Sequence, residues 1–187
     1  RLEAIAADFR AKGTRCLPIK CDVTNTEEVN RAAEIAIKEY GKVDILVNNA
    51  GASKNAGVLE MTDEEWNFTL GADLTSVFKV TRAFAKYMVE KKYGRIINIA
   101  SIYGQVGNTA MDTVAYHSSK GGVVNFTRAV AAELAKYNIT CNTISPGYFE
   151  TELTADTLNT EAFSNFMKTT VPLGRYGHAG ELNPVAI

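Results

Sequence analysis

Apolar positions along the chain recur with two alternating periods. Leu2, Ile5, Ala6 and Phe9 return at helical spacing and Gly13 stops the run. Leu17 to Val23 reads as a short strand ending at Asp22. Thr24 or Thr26 then caps a helix carrying Val29, Ala32, Ala33, Ala36 and Ile37 on one face, and Gly41 ends it. Val43 to Val47 and Arg95 to Ala100 are almost wholly apolar, as strands buried on both faces are. Between them Thr62 heads a long helix with Trp66, Leu70, Val77, Val80, Phe84 and Met88 as its stripe. A helix from about Tyr116 to Tyr137 follows, then a strand from Ile139 to Ile144, a polar helical stretch, and a helix start near Glu181.

Four strands, each followed by a helix, predict an α/β fold with a doubly wound parallel sheet, Rossmann-like, in one domain spanning residues 1–187. In such sheets ligands gather beyond the carboxyl ends of the strands. The residues leaving those ends are Asp22, Asn48 to Gly51, Ser101 and Pro146-Gly147, so they are expected to share one crevice.

Composition narrows the partners. The chain has 187 residues, 46% hydrophobic and 22% charged, with 20 Lys+Arg against 21 Asp+Glu. This apolar content and low net charge argue against disorder, and the neutral balance argues against a nucleic acid or an anionic membrane as partner. No apolar run is long enough to span a bilayer. Cys16, Cys21 and Cys141 are odd in number and show no CxxC spacing, so buried thiols, no metal site and a reducing, cytoplasmic setting are expected.

The candidate chemistry centres on Tyr116-His117-Ser118-Ser119-Lys120. On a helix, positions 116 and 120 lie one turn apart on the same face. A phenol is a poor base at neutral pH, but an ammonium about 5 Å away would contribute roughly 3 kcal/mol and lower its pKa by about 2.4, toward the high sevens. Such a pair is a tuned acid/base. Ser101 leaves a strand end nearby and can donate to a substrate oxygen.

Asp22-Val23, Asn48-Asn49-Ala50-Gly51, Ser101, Tyr116xxxLys120 and Pro146-Gly147 followed by Thr151, in that order, resemble the short-chain dehydrogenase/reductase family. The resemblance implies a secondary alcohol/ketone oxidoreductase using NAD or NADP. Tyr116 would be the acid/base, Lys120 would hold the nicotinamide ribose and tune Tyr116, and Ser101 would orient the reacting oxygen. Asp22 and Val23 would contact adenine, Asn48 would brace the sheet, and Asn49, Ala50 and Gly51 would let the cofactor approach closely. Pro146, Gly147 and Thr151 would shape the nicotinamide side.

Where the family usually carries an Asn for a proton-relaying water, this chain has Asp73 in Gly71-Ala72-Asp73-Leu74. A carboxylate there competes for the charge of Lys120 and disfavours a neighbouring phenolate. The family's Gly-rich phosphate loop and last strand have no counterpart here, so the sequence is expected to be incomplete at both ends of the fold, and the choice between NAD and NADP stays open.

Ser101-Ile102-Tyr103-Gly104 and Met111 to His117 resemble the gluconate 5-dehydrogenase branch, implying a sugar acid such as gluconate/5-ketogluconate. Another sugar or polyol, an acyl-carrier-protein ketone, and a non-catalytic dinucleotide sensor remain alternatives. His117 and Arg175 are candidates to face an anionic substrate, with packing or surface roles as the plainer reading. Residues 151–170 are expected to form a substrate lid, and the family resemblance implies a homo-tetramer paired through the helices at 62–91 and 116–137.

Overall fold

The computed structural model describes residues 1–107, 111–150, 158 and 160–186. The chain opens with α1 (Leu2–Ala11) and α2 (Thr26–Tyr40). Asn25, not either of the flanking threonines, caps α2, its side chain accepting from Glu28 N at 3.1 Å. Gly41 ends the helix in the left-handed conformation at φ 77°, which only a residue without Cβ takes easily.

Strand β1 (Ile45–Asn48) leads to a long helical rod. Its first part is α3 (Asp63–Leu70), opened by a reciprocal cap between Thr62 and Glu65. A π-turn at Gly71–Thr75 joins it without a break to α4 (Ser76–Lys91). Then come β2 (Gly94–Ile99), a 3₁₀ turn at Ile102–Gly104, α5 (Val114–Leu134) and β3 (Ile139–Ile144). Helices α6 (Glu161–Thr170) and α7 (Asn183–Ala186) follow.

The three strands form one parallel sheet in the order β1-β2-β3, which is the α/β class expected from the sequence. The fourth expected strand, Leu17 to Val23, is not one: the segment makes no ladder pairing. Its apolar residues instead pack locally, Cys21 lying against Val29, Ala33 and Ala83 where α2 meets α4. A strand is defined by its neighbour, and none of the described strands adjoins this segment.

Register puts Leu46, Ile96 and Cys141 in one row and Asn48, Asn98 and Thr143 in the next, on the same face. Helices α4 and α5 cover that face, and Leu46, Ile96, Ile139, Met88 and Val130 close into the main core. On the opposite face Ile45 and Val47 stand 61% and 51% exposed.

The second row is polar, yet its two asparagines are buried and Thr143 is half-buried. Asn48 Nδ2 donates to Thr81 Oγ1 at 3.0 Å and to Asn98 Oδ1 at 2.8 Å. Asn98 Nδ2 donates to Thr127 Oγ1 at 2.8 Å, and Thr127 Oγ1 to Val123 O at 2.7 Å. The chain of bonds ties α4, β1, β2 and α5 together just below the strand ends. Satisfied, it fixes the register of the sheet; half-removed, it strands buried donors. Replacing Asn98 with Leu is expected to cost about 2–4 kcal/mol in urea-induced unfolding, since it orphans partners on two elements. A loss below about 0.5 kcal/mol, typical of surface changes, would contradict the network's role.

Candidate active site

Each strand end delivers one part of the site, as the parallel topology requires. Ser101 is the second residue beyond β2 and is buried. Its Oγ accepts from Tyr103 N at 3.2 Å, which starts the 3₁₀ turn. Pro146 O, just beyond β3, accepts from Ile102 N at 3.0 Å and locks the two loops together.

Helix α5 is pressed against the Ser101 loop because residue 104 is glycine: a Cβ there would stand 2.6 Å from Lys120 O. Tyr116 in the first turn of α5 and Lys120 one turn later therefore face the strand ends. The Ser101 hydroxyl faces the Tyr116 phenol closely enough to act on its titration. Lys120 Nζ donates to Ile99 O at 3.1 Å and sits 5.5 Å from the centre of the Tyr116 ring.

Asp73 enters from the π-turn, where the widened helix turn aims a side chain that a regular helix would direct elsewhere. It is 2% exposed. Its Oδ1 accepts from Ala52 N at 2.8 Å, its Oδ2 accepts from Ser119 Oγ at 3.4 Å, and Lys120 Nζ is 3.9 Å away. Ser101, Tyr116, Lys120 and Asp73 thus surround one small volume.

The electrostatics differ from the expectation of a phenol lowered by its lysine. Burial raises the Tyr116 pKa; the nearby Ser101 hydroxyl pulls it down, and the Asp73 carboxylate pushes it up. The nearby Lys120 does not reverse the net upward shift. Its ammonium lies over the ring and is engaged by the Ile99 carbonyl and Asp73. Burial also raises the Asp73 pKa and lowers that of Lys120, each partner opposing the shift of the other.

The Asn48 to Gly51 turn borders this cluster. Gly51 passes so close to Asp73 that an added Cβ would overlap the carboxylate. Ala50, Gly51 and Ala52 also floor a cleft of about 530 Å³ whose other walls include Asp22, Val23 and Phe68. Asp22 accepts from Thr24 N at 2.8 Å and Thr24 Oγ1 at 2.7 Å, which holds its carboxyl below its usual range. Asn49 is exposed at the edge of this turn, and Asn48 points away into the core network. Thr151 lies outside the described residues.

Beyond Ser101 on the other side is a cavity of about 700 Å³, walled by Ile102, Tyr103, Gly147 and Tyr148. The Tyr103 and Tyr148 hydroxyls hydrogen-bond each other, and burial pushes the Tyr103 phenol above its ordinary pKa. Tyr103 stacks on His117 at 4.6 Å, and Tyr148 meets Phe163 and Phe166 of α6 edge-on. The two aromatic residues that follow the strand-end motifs gave no signal in periodicity, because Tyr103 sits in a single 3₁₀ turn and Tyr148 in a loop; only their positions two residues after Ser101 and one after Gly147 mark them. His117 and Arg175 take the plainer of their two readings. His117 Nδ1 is held by Thr113, and Arg175 pairs with Glu181 through two bonds of 2.9 and 2.8 Å.

A parallel sheet with a small-residue turn, a cleft and a Ser/Tyr/Lys cluster at one end defines a nucleotide-binding α/β protein with acid/base equipment. The profile of the short chain dehydrogenase family matches residues 1–162, and the chain belongs to that family. It is 36% identical over 180 residues to a 3-oxoacyl-[acyl-carrier-protein] reductase of Synechocystis sp., covering 96% of this chain and 70% of the relative. It is 36% identical over 188 residues to the 5-keto-D-gluconate 5-reductase of Escherichia coli, covering 100% of this chain and 73% of the relative. A gluconate 5-dehydrogenase from Burkholderia cenocepacia, solved in complex with NADP and tartrate, superposes with a TM-score of 0.92 at 33% identity, over 98% of this chain and 71% of that one.

Gly51→Ala is expected to displace Asp73, breaking its bond to Ala52 N. The effect should appear as a loss of about 1–3 kcal/mol in unfolding free energy, the range for a disturbed buried polar group. Unchanged stability would contradict the close approach.

Proposed function

We propose that the protein is an NAD(P)-dependent oxidoreductase that interconverts a secondary alcohol and a ketone, with Tyr116 as the acid/base. The observation that carries this reading is the convergence of Ser101, Tyr116 and Lys120 on one volume beside a cleft suited to a nucleotide. The cleft fits such a cofactor in its chemistry: small residues Ala50 and Gly51 as floor, apolar Val23 and Phe68 as walls, and the exposed Asp22 carboxylate at the rim. Asp22, Val23, Asn49, Ala50 and Gly51 would hold the adenine half, and Tyr116, Lys120, Pro146, Gly147 and Thr151 the nicotinamide half. When bound, the nicotinamide gives or takes the hydride.

In reduction, the Ser101 hydroxyl donates to the substrate carbonyl oxygen and holds it beside Tyr116. As hydride reaches the carbonyl carbon and the C=O π bond breaks, the phenol O–H transfers its proton to that oxygen, leaving alcohol and tyrosinate. Oxidation runs the same steps backward, with tyrosinate accepting the proton. Lys120 orients the ribose side, and Asp73 is a positioning residue that holds the lysine and counterweights its charge.

The direction of the Tyr116 shift carries a consequence for pH. A phenol with a raised pKa stays protonated over a wider range, so it is equipped as an acid, and reduction persists as pH climbs until that pKa is passed. Oxidation needs the tyrosinate and gains with rising pH. The family's sugar-acid branch is one candidate for substrate, and a homo-tetramer joined through α4 and α5 in a cytoplasmic setting accompanies this reading. Phe78 on α4, 44% exposed, supports such a pairing. Residues 151–170 would serve as the lid over the substrate; 161–170 form α6, and 151–157 and 159 lie outside the described residues.

Two measurements test the proposal. Tyr116→Phe should reduce kcat for NAD(P)H-linked carbonyl reduction by at least about 10²-fold, the lower range for general acid catalysis, while nucleotide binding persists. Retained turnover would refute it. Asp73→Asn removes a charge that raises the phenol, so the alkaline limb of the kcat profile should move to lower pH; an unmoved limb would deny Asp73 its role.

A further inference from the structure

The sequence resemblance points to a polyhydroxylated acid, yet the cavity beside the acid/base pair has a different chemistry. Its inner wall is Ile102 and Tyr103, the two residues directly after Ser101. Outward from them the lining is Val106, Phe166, Val171 and Leu173. A sugar acid seated there would bring a carboxylate and several hydroxyls against hydrocarbon, each losing water without a replacement partner.

Among the described lining residues, the polar side chains of Tyr103, Tyr148, Arg175 and Glu181 are engaged with one another, which leaves the Thr170 hydroxyl as a small polar group in the wall. The Tyr103 and Tyr148 hydroxyls bond to each other. Arg175 forms two bonds with the carboxylate of Glu181, and its Nη1 also donates to Tyr176 O. Among the described lining residues, the guanidinium that a carboxylate substrate would seek is thus neutralised inside the wall itself. Apolar side chains around a few satisfied polar groups, within about 700 Å³, match the general character of pockets for compact apolar ligands.

We infer that the substrate is a ketone bearing an apolar arm, with the carbonyl at Ser101 and Tyr116 and the arm in the cavity walled by Ile102, Val106, Phe166, Val171 and Leu173. The inference rests on the oxidoreductase reading and selects its substrate class. Tyr103 and Tyr148 form the neck: their paired hydroxyls separate the polar reacting corner from the apolar chamber, and the ring of Tyr103 meets that of Tyr116 edge-on at 6.3 Å. Phe163 and Phe166 brace Tyr148 from α6, so the chamber depends on that helix being docked.

The test follows NAD(P)H oxidation by the full-length protein with ethyl 3-oxobutanoate, 3-oxopentanoate and 3-oxohexanoate, and with 5-ketogluconate. Each methylene entering the chamber should raise kcat/KM about fourfold, and 5-ketogluconate should be the poorest substrate. Leu173→Asp, at a rim position 78% exposed and thus harmless to folding, should flatten the chain-length dependence. Phe166→Ala should flatten it too. A flat series in the unaltered protein, or 5-ketogluconate preferred over all three esters, overturns the apolar-arm assignment while leaving the oxidoreductase intact. Tight NAD(P)H binding with no turnover of any of the four overturns the oxidoreductase reading and this inference with it.

Discussion

One buried carboxylate governs the geometry of the strand-end cluster. Asp73 is almost fully enclosed, so its charge cannot rely on water and must be met by protein groups. Three groups on two segments meet it: Ala52 N from the turn after β1, and Ser119 Oγ and Lys120 Nζ from α5. Each contact is also a constraint on where its segment lies. The turn after β1 is drawn in so closely that position 51 has no room for a side chain. The π-turn that delivers Asp73 is the local cost of putting a carboxylate at this point.

The same carboxylate decides what the lysine does. An ammonium beside a free phenol would stabilise the phenolate, but here its positive charge faces Asp73 and the Ile99 carbonyl. The phenol is left under the opposing influences of burial, Asp73 and the Ser101 hydroxyl, with burial the largest. A site of this kind is equipped to give a proton. Beyond it the surroundings change from charged to aromatic and then to aliphatic within the span of Ser101, Tyr103 and Val106, so the reacting corner and the chamber for the rest of the substrate are separate environments.

Much of this was legible from residue order alone. Parallel β1, β2 and β3 and the long helices follow from apolar runs and spacing; Ser101, Tyr116 and Lys120 do meet, while Ala50-Gly51 and Gly147 line separate cavities and Asn48 turns into the core. Asp73 could be singled out because it stands in a helix register where the resembling family has a neutral amide. What could not be read were features set by partners distant in sequence. Leu17 to Val23 has strand composition, but pairing is a property of two segments, and no described strand adjoins it. The π-turn at Gly71–Thr75 leaves no mark on a stripe that continues through it from Trp66 to Met88. Asn98 sits in an apolar run, and its role is visible only once register sets it beside Asn48. The sign of the Tyr116 shift was misread because helical spacing fixes how far Lys120 is from Tyr116, not which other charge claims it.

The central claim is that the Tyr116 phenol is held protonated by its buried surroundings despite the adjacent lysine. The most direct measurement is a pH titration of the ¹³Cζ resonance of Tyr116 in tyrosine-labelled protein, assigned by comparison with the Tyr116→Phe spectrum. The account predicts a midpoint above the ordinary phenol value of 10.0. A midpoint near or below about 8, where a lysine-lowered phenol would titrate, would contradict it.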